Sequence, residues 1–101
     1  MEIKRKPEYE NNKGVDALER LINIAFHDSH QCTYVRDFLL HLYNSANPVD
    51  LIAVLCACDS TITQDCFVVM IMRAKERIEP HNYFENGSKI FQHLHRLKKG
   101  R

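Results

Sequence analysis

The sequence predicts an all-α fold, a compact bundle of four to five helices, on three observations. Apolar side chains recur at three- and four-residue spacing through most of the chain beyond residue 14, as in helices that bury one face. Capping residues, Pro48, Pro80 and Gly87 stand at the edges of those stretches, where helices would start and stop. Residues 48–56 and 66–72 also have the composition of strands. The second run has helical flanks, which leaves the first as a lone strand unable to satisfy its own backbone.

Taken in order, residues 1–13 are predicted to be a flexible N-terminal arm, because charge, Asn and Pro7 leave only Ile3 and Tyr9 to bury. Residues 14–101 form the single helical domain, a length that buries about 60–70% of the unfolded chain's surface. Its first helix, about 14–27, places Val15, Leu18, Leu21, Ile22, Ala25 and Phe26 on one face, with Asp16 and Glu19 at the positive end of the dipole. Asp28 or Ser29 then caps a second helix, about 30–44, whose stripe is Cys32, Val35, Phe38, Leu39, Leu42 and Tyr43. So short a connection favours an antiparallel pair. A third, short helix starts at Pro48, where the missing amide costs nothing, and runs to about Cys56. It is apolar nearly all round and is expected to be enclosed on several sides.

Residues 59–79 are predicted as the central helix. Asp59 or Ser60 caps it, Lys75 and Arg77 complement its C-terminal end, and Pro80 stops it. Ile62, Cys66 and Val69 line one side; Phe67, Ile71, Ala74 and Ile78 line a second, so both sides are expected to be covered. Asp65 lies among apolar neighbours and, if buried, needs a cation such as Arg20 or Arg36. A loop over 80–87 pins Tyr83 and Phe84 on the core, and a last helix, about 88–97, turns Ile90, Phe91, Leu94 and Leu97 inward.

Composition is that of an ordinary globular protein, 45% apolar and 27% charged, which argues against disorder and against a disulfide scaffold. The charge is unevenly placed. Residues 15–88 hold five basic against ten acidic side chains, whereas residues 89–101 hold five basic and no acidic ones. The opening Met-Glu-Ile-Lys-Arg-Lys-Pro has no apolar run of a secretory signal, and no window reaches the ~18 apolar residues of a membrane span. The expectation is a cytoplasmic protein without membrane association, in which Cys32, Cys56, Cys58 and Cys66 are reduced small hydrophobes.

Four constellations bear on chemistry. Cys56-x-Cys58 with Cys66 has the wrong spacing for structural zinc, so no metal and no cofactor is expected. His27, His30 and Cys32 contain the minimum for a thiolate site, but Cys32 lies on the apolar stripe and His30 on the other side of the helix. Lys89, His93, Arg96, Lys98 and Lys99 make a basic stripe that would suit nucleic acid, against which the acidic remainder argues. Val68 and Met72, one turn apart and away from both predicted core sides, are the candidate partner interface. No catalytic signature is present, no Gly-rich phosphate loop and no nucleophile elbow.

Ala17-Leu-Glu-Arg-Leu21, Ile24-Ala25, Asp28, Gln31, Val35, Asp37-Phe-Leu-Leu40, Asn44, Asp50-Leu51, Asp59, Ile62 and Asp65 together resemble an uncharacterised family of small bacterial proteins. Its members are often carried on plasmids and other mobile elements. The resemblance runs from about Ala17 to Leu97 and departs where that family tends to place tryptophan, after Asp37-Phe-Leu-Leu40 and after Asp50-Leu51. It implies a bacterial or phage-like source and an all-helical fold, and nothing about activity. The expected function is therefore a small non-enzymatic interaction or regulatory module, an accessory factor of a mobile element, acting on a protein partner or on itself as a homodimer. Nucleic-acid binding and an enzyme built on residues 27–32 are the alternatives.

Overall fold

Asn12 opens the helical body by accepting hydrogen bonds from the amides of Gly14 and Val15, at 2.9 and 3.1 Å, so the first helix begins one residue ahead of the predicted start. The computed structural model describes residues 1–100; Arg101, counted above in the basic end, lies outside the described residues. Among the described residues five α-helices follow in order: α1 (Lys13–Ala25), α2 (His30–Tyr43), α3 (Leu51–Ala57), α4 (Ser60–Glu76) and α5 (Gly87–Lys99). Two 3-10 turns, Pro7–Tyr9 and Pro80–Tyr83, stand outside them, and the described residues contain no strand beyond an isolated bridge between Arg5 and Phe84. The all-α bundle is what the spacing predicts. Among the described residues no helix is long and apolar enough to cross a membrane.

α1 packs on α2 and α4, and α2 also meets α5, α3 and the second 3-10 turn. Val15, Ala17, Leu18, Leu21, Ile22 and Ala25 are fully buried, joined by Val35, Leu39 and Leu40 from α2 and by Ile90, Phe91 and Leu94 from α5. Tyr83 and Phe84 close the core as expected. The junction of α1 and α2 is held by Arg36, a fully buried cation. Its Nε donates to the Ala25 carbonyl at 3.0 Å and its Nη2 to the His27 carbonyl at 2.6 Å and to Asp28 at 3.1 Å, satisfying carbonyls that the end of α1 leaves open.

Two expectations, on the third helix and on the end of α4, are corrected, and the N-terminal segment makes contacts that its composition does not announce. Residues 1–13, predicted as a flexible arm, lie against the body: the Lys6 amide donates to the Tyr83 carbonyl (3.0 Å), the Glu85 amide to the Lys4 carbonyl (2.7 Å), and the Tyr9 ring meets Tyr83 edge-on at 4.8 Å. Arg5 adds a 2.6 Å ion pair to Asp16, so polar contacts supply what two apolar residues could not. The third helix begins at Leu51, capped by Asp50 rather than entered at Pro48, and is not enclosed. Only Val54 is buried, while Ile52 is 68% exposed. α4 ends at Glu76, ahead of Pro80, because Arg77 turns into the left-handed region at φ 58°.

Candidate functional site

α4 is fixed by one side only. Ile62, Cys66 and Val69 are buried against the core, as the first predicted side requires, Met72 is buried beside them, and the Asp59 carboxylate caps the helix by accepting from the Ile62 amide at 3.0 Å. Asp65 is buried beside them, and of the two cations named for it the structure uses Arg20. Nε and Nη2 of that guanidinium donate in parallel to the two carboxylate oxygens, each at 2.9 Å. The carboxylate in turn raises the arginine's pKa. This fork ties α4 to α1 in one rotational setting.

The second predicted side is not covered. Phe67 is 48% and Ile71 58% exposed, and Ala74 is exposed with them; only Ile78 packs against the core. Of the two interface candidates, Val68 is 41% exposed and Met72 is buried. Met72 lies over Gly14, where any Cβ would strike its sulfur. Val68 therefore stays in the site and Met72 leaves it, while Phe67 and Ile71, which sequence reasoning assigned to the core, join it. The resulting face is Thr61, Gln64, Phe67, Val68, Ile71 and Ala74, all exposed, with Ser60 and Lys75 at its ends.

The other constellations are dispersed. His27 and His30 are exposed, and the His30 ring meets Tyr34 at 5.0 Å, while Cys32 is buried with its sulfur 2.9 Å from the Ser29 hydroxyl. On α5, Lys89, Arg96 and Lys99 are exposed, but Lys98 pairs with Asp37 at 3.3 Å and the His93 ring packs edge-on against Phe26 at 5.5 Å. Burial there lowers the His93 pKa, reinforced by Arg96. Cys56 is exposed, Cys58 half-buried and Cys66 buried, where desolvation, with Cys58 and Asp65 adding to it, pushes the thiol up to about 12. Among the described residues no three His, Cys, Asp or Glu side chains are grouped as metal ligands. A groove of about 430 Å³ between α2 and α5 is floored by Leu40 and by the stacked rings of Tyr43 and Phe91, 4.7 Å apart.

The model of a family of unknown function, DUF7673, matches residues 15–99, from the first turn of α1 to the last residue of α5. The chain belongs to DUF7673. The matched DUF7673 segment holds all of α4 and its Arg20 anchor, so the exposed face and its support both lie inside the family's domain. No curated protein and no solved structure matches the chain.

Proposed function

We propose that this DUF7673 chain is a small non-enzymatic interaction module that docks a protein on the outer face of α4. The exposure of Phe67, Val68 and Ile71 within little more than one helical turn carries the reading. Single apolar residues on a surface mean little, but an aromatic and two branched side chains side by side have the make-up of an interface centre. Neutral Thr61, Gln64 and Ala74 surround them. The backing is rigid, since the Arg20–Asp65 fork and four buried side chains hold α4 from behind.

Two observations favour this over the alternatives. A thiolate site needs Cys32 and a histidine to face one another, and each has a different neighbour. The basic stripe on α5 has two of its five members engaged within the fold. Four cysteines with two of them in the apolar core fit a reducing cytoplasm, and the resemblance to proteins of plasmids and mobile elements supports an accessory or regulatory role in such an element.

The test is the Phe67→Ser/Ile71→Ser pair. Both positions lie outside the core, so helicity and thermal midpoint should be nearly unchanged. Proteins cross-linked to the parent in its source cell, this chain included, should be lost from the variant. An identical set from both would show that the face is not the docking surface.

A further inference from the structure

The N-terminal arm is held on the body in the way an extended peptide is held by a receptor. Its bridge between Arg5 and Phe84 is antiparallel, with the Lys6 amide donating to the Tyr83 carbonyl at 3.0 Å and the Glu85 amide to the Lys4 carbonyl at 2.7 Å. Residues 4–6 therefore lie along 83–85 as an added strand would. Asn86 continues the pairing with its side chain, accepting from the Lys4 amide at 3.0 Å and donating to the Glu2 carbonyl at 2.6 Å. Successive side chains of an extended segment point to opposite sides. Lys4 is exposed, whereas Arg5 turns inward with its side chain 16% exposed, Nη1 on Asp16 at 2.6 Å and Nη2 3.5 Å from Glu19. Nη1 also donates to the carbonyls of Tyr9 and Glu10, which folds the arm around this one side chain.

The polar ties from the body thus go to the arm's main chain and to a single guanidinium. A seat of that kind reads an extended backbone with an arginine and is indifferent to the side chains on either side of it. The seat, Asp16 and Glu19 with residues 83–86, lies within the stretch matched to DUF7673, residues 15–99, while residues 1–10 lie outside it. The domain carries the receptor, and an appended segment fills it.

We propose that residues 83–86 with Asp16 and Glu19 form a peptide-recognition site, which takes an extended, arginine-bearing segment of a partner protein by strand addition and which residues 1–10 occupy as an internal competitor. This site is separate from the outer face of α4 and does not depend on the reading of that face. A tethered segment acts on its site at an effective concentration of about 1 mM, so an arm bound most of the time implies a dissociation constant below about 1 mM for the same segment when free. A partner segment gains the site by adding contacts to those the arm makes.

The test uses the full chain with its own arm released, in two variants that leave the seat intact. One is Arg5→Ala. The other is Lys6→Pro, which removes the pairing amide at a residue whose φ of −65° proline shares. A synthetic peptide of residues 1–10, titrated to about 5 mM, should shift the amide resonances of Asp16, Glu19, Glu85 and Asn86 in both variants and saturate with a dissociation constant below about 1 mM. The parent, whose arm competes, should respond about tenfold more weakly. Peptides carrying Arg5→Ala or Lys6→Pro should each lose about tenfold in affinity, and one carrying Glu2→Ser, Lys4→Ser and Lys6→Ser together should bind as the unchanged peptide does. No shift in either variant, shifts away from the seat, or equal binding by the parent would overturn the proposal. Equal affinity for the Arg5→Ala and Lys6→Pro peptides and the unchanged one, or loss of binding by the serine peptide, would overturn it as well.

Discussion

At the scale of single residues, the informative groups are charges that the fold has taken in. The side chain of Asp65 is 10% exposed and that of Arg20 57%, so solvent screens one partner and not the other. Arg20→Ala should cost about 2 kcal/mol in urea unfolding, less than the roughly 3–5 kcal/mol of a fully buried pair, and Asp65→Leu in the same chain should recover part of it. His93 gives a pH signature. Its pKa is lowered from 6.5 on folding, so as pH falls through that value the unfolded chain takes up a proton that the folded one does not, and stability is lost. His93→Phe keeps the ring contact with Phe26 and removes this loss. The variant's advantage over the parent should therefore widen between about pH 7 and pH 5 in thermal melts. The sequence made the Asp65 partner legible, because a carboxylate among Val69 and Met72 needs a cation within reach. It named Arg36 only as a possible partner of Asp65 and not as a buried cation in its own right, although the signal was there: Arg36 stands four residues after Cys32 and four before Leu40, on the buried stripe of α2. A cation in that position must find buried acceptors, and the open carbonyls at the end of α1 are such acceptors.

At the scale of elements, caps were legible and coverage was not. Ser29 and Asp59 cap the helices predicted for them, since a side-chain oxygen ahead of an apolar-periodic stretch acts locally. Which of two apolar arcs on α4 meets the core is set by α1, not by α4, so periodicity cannot distinguish Ile62–Cys66–Val69 from Phe67–Ile71. Asp65 could have done so. With Arg20 as its partner, the buried arc must include Asp65 and Met72, which turns Phe67 and Ile71 outward. The end of α4 escapes the sequence for a related reason: Pro80 forbids continuation but does not fix the stop, and the left-handed turn at Arg77 comes first. A non-glycine residue at φ 58° is strained, whereas glycine is not. Arg77→Gly should raise the unfolding free energy by about 0.5–1 kcal/mol, read as an increased midpoint in urea with unchanged slope.

At the scale of the molecule, the bundle follows from four amphipathic stretches and short connections, and the N-terminal arm is what composition could not reveal. Its attachment is mostly polar and backbone-mediated, through groups every residue carries. The Lys6 amide and the Lys4 carbonyl bond the Tyr83–Glu85 segment, and Asn86 accepts from the Lys4 amide at 3.0 Å and donates to the Glu2 carbonyl at 2.6 Å. That use of Asn86 explains why its side chain does not cap α5. The arm thus spans from α1, through Arg5 on Asp16, to the loop ahead of α5. Fixing a backbone costs about 1–2 kcal/mol per residue, and each hydrogen bond returns only about 1 kcal/mol net, so hydrogen bonds alone do not hold the arm in place. Partial burial of Ile3 and Tyr9 and the Tyr9–Tyr83 contact tip the balance towards attachment. Deleting residues 1–11, which spares the Asn12 cap, should leave the five helices in place and lower stability by about 2 kcal/mol. In the intact chain the Glu85 amide should exchange slowly with solvent, and in the truncated chain quickly, while amides in the middle of α1 keep their relative protection. Equal urea midpoints for the two chains, together with fast Glu85 exchange in both, would show that the arm is detached most of the time and adds nothing to the fold.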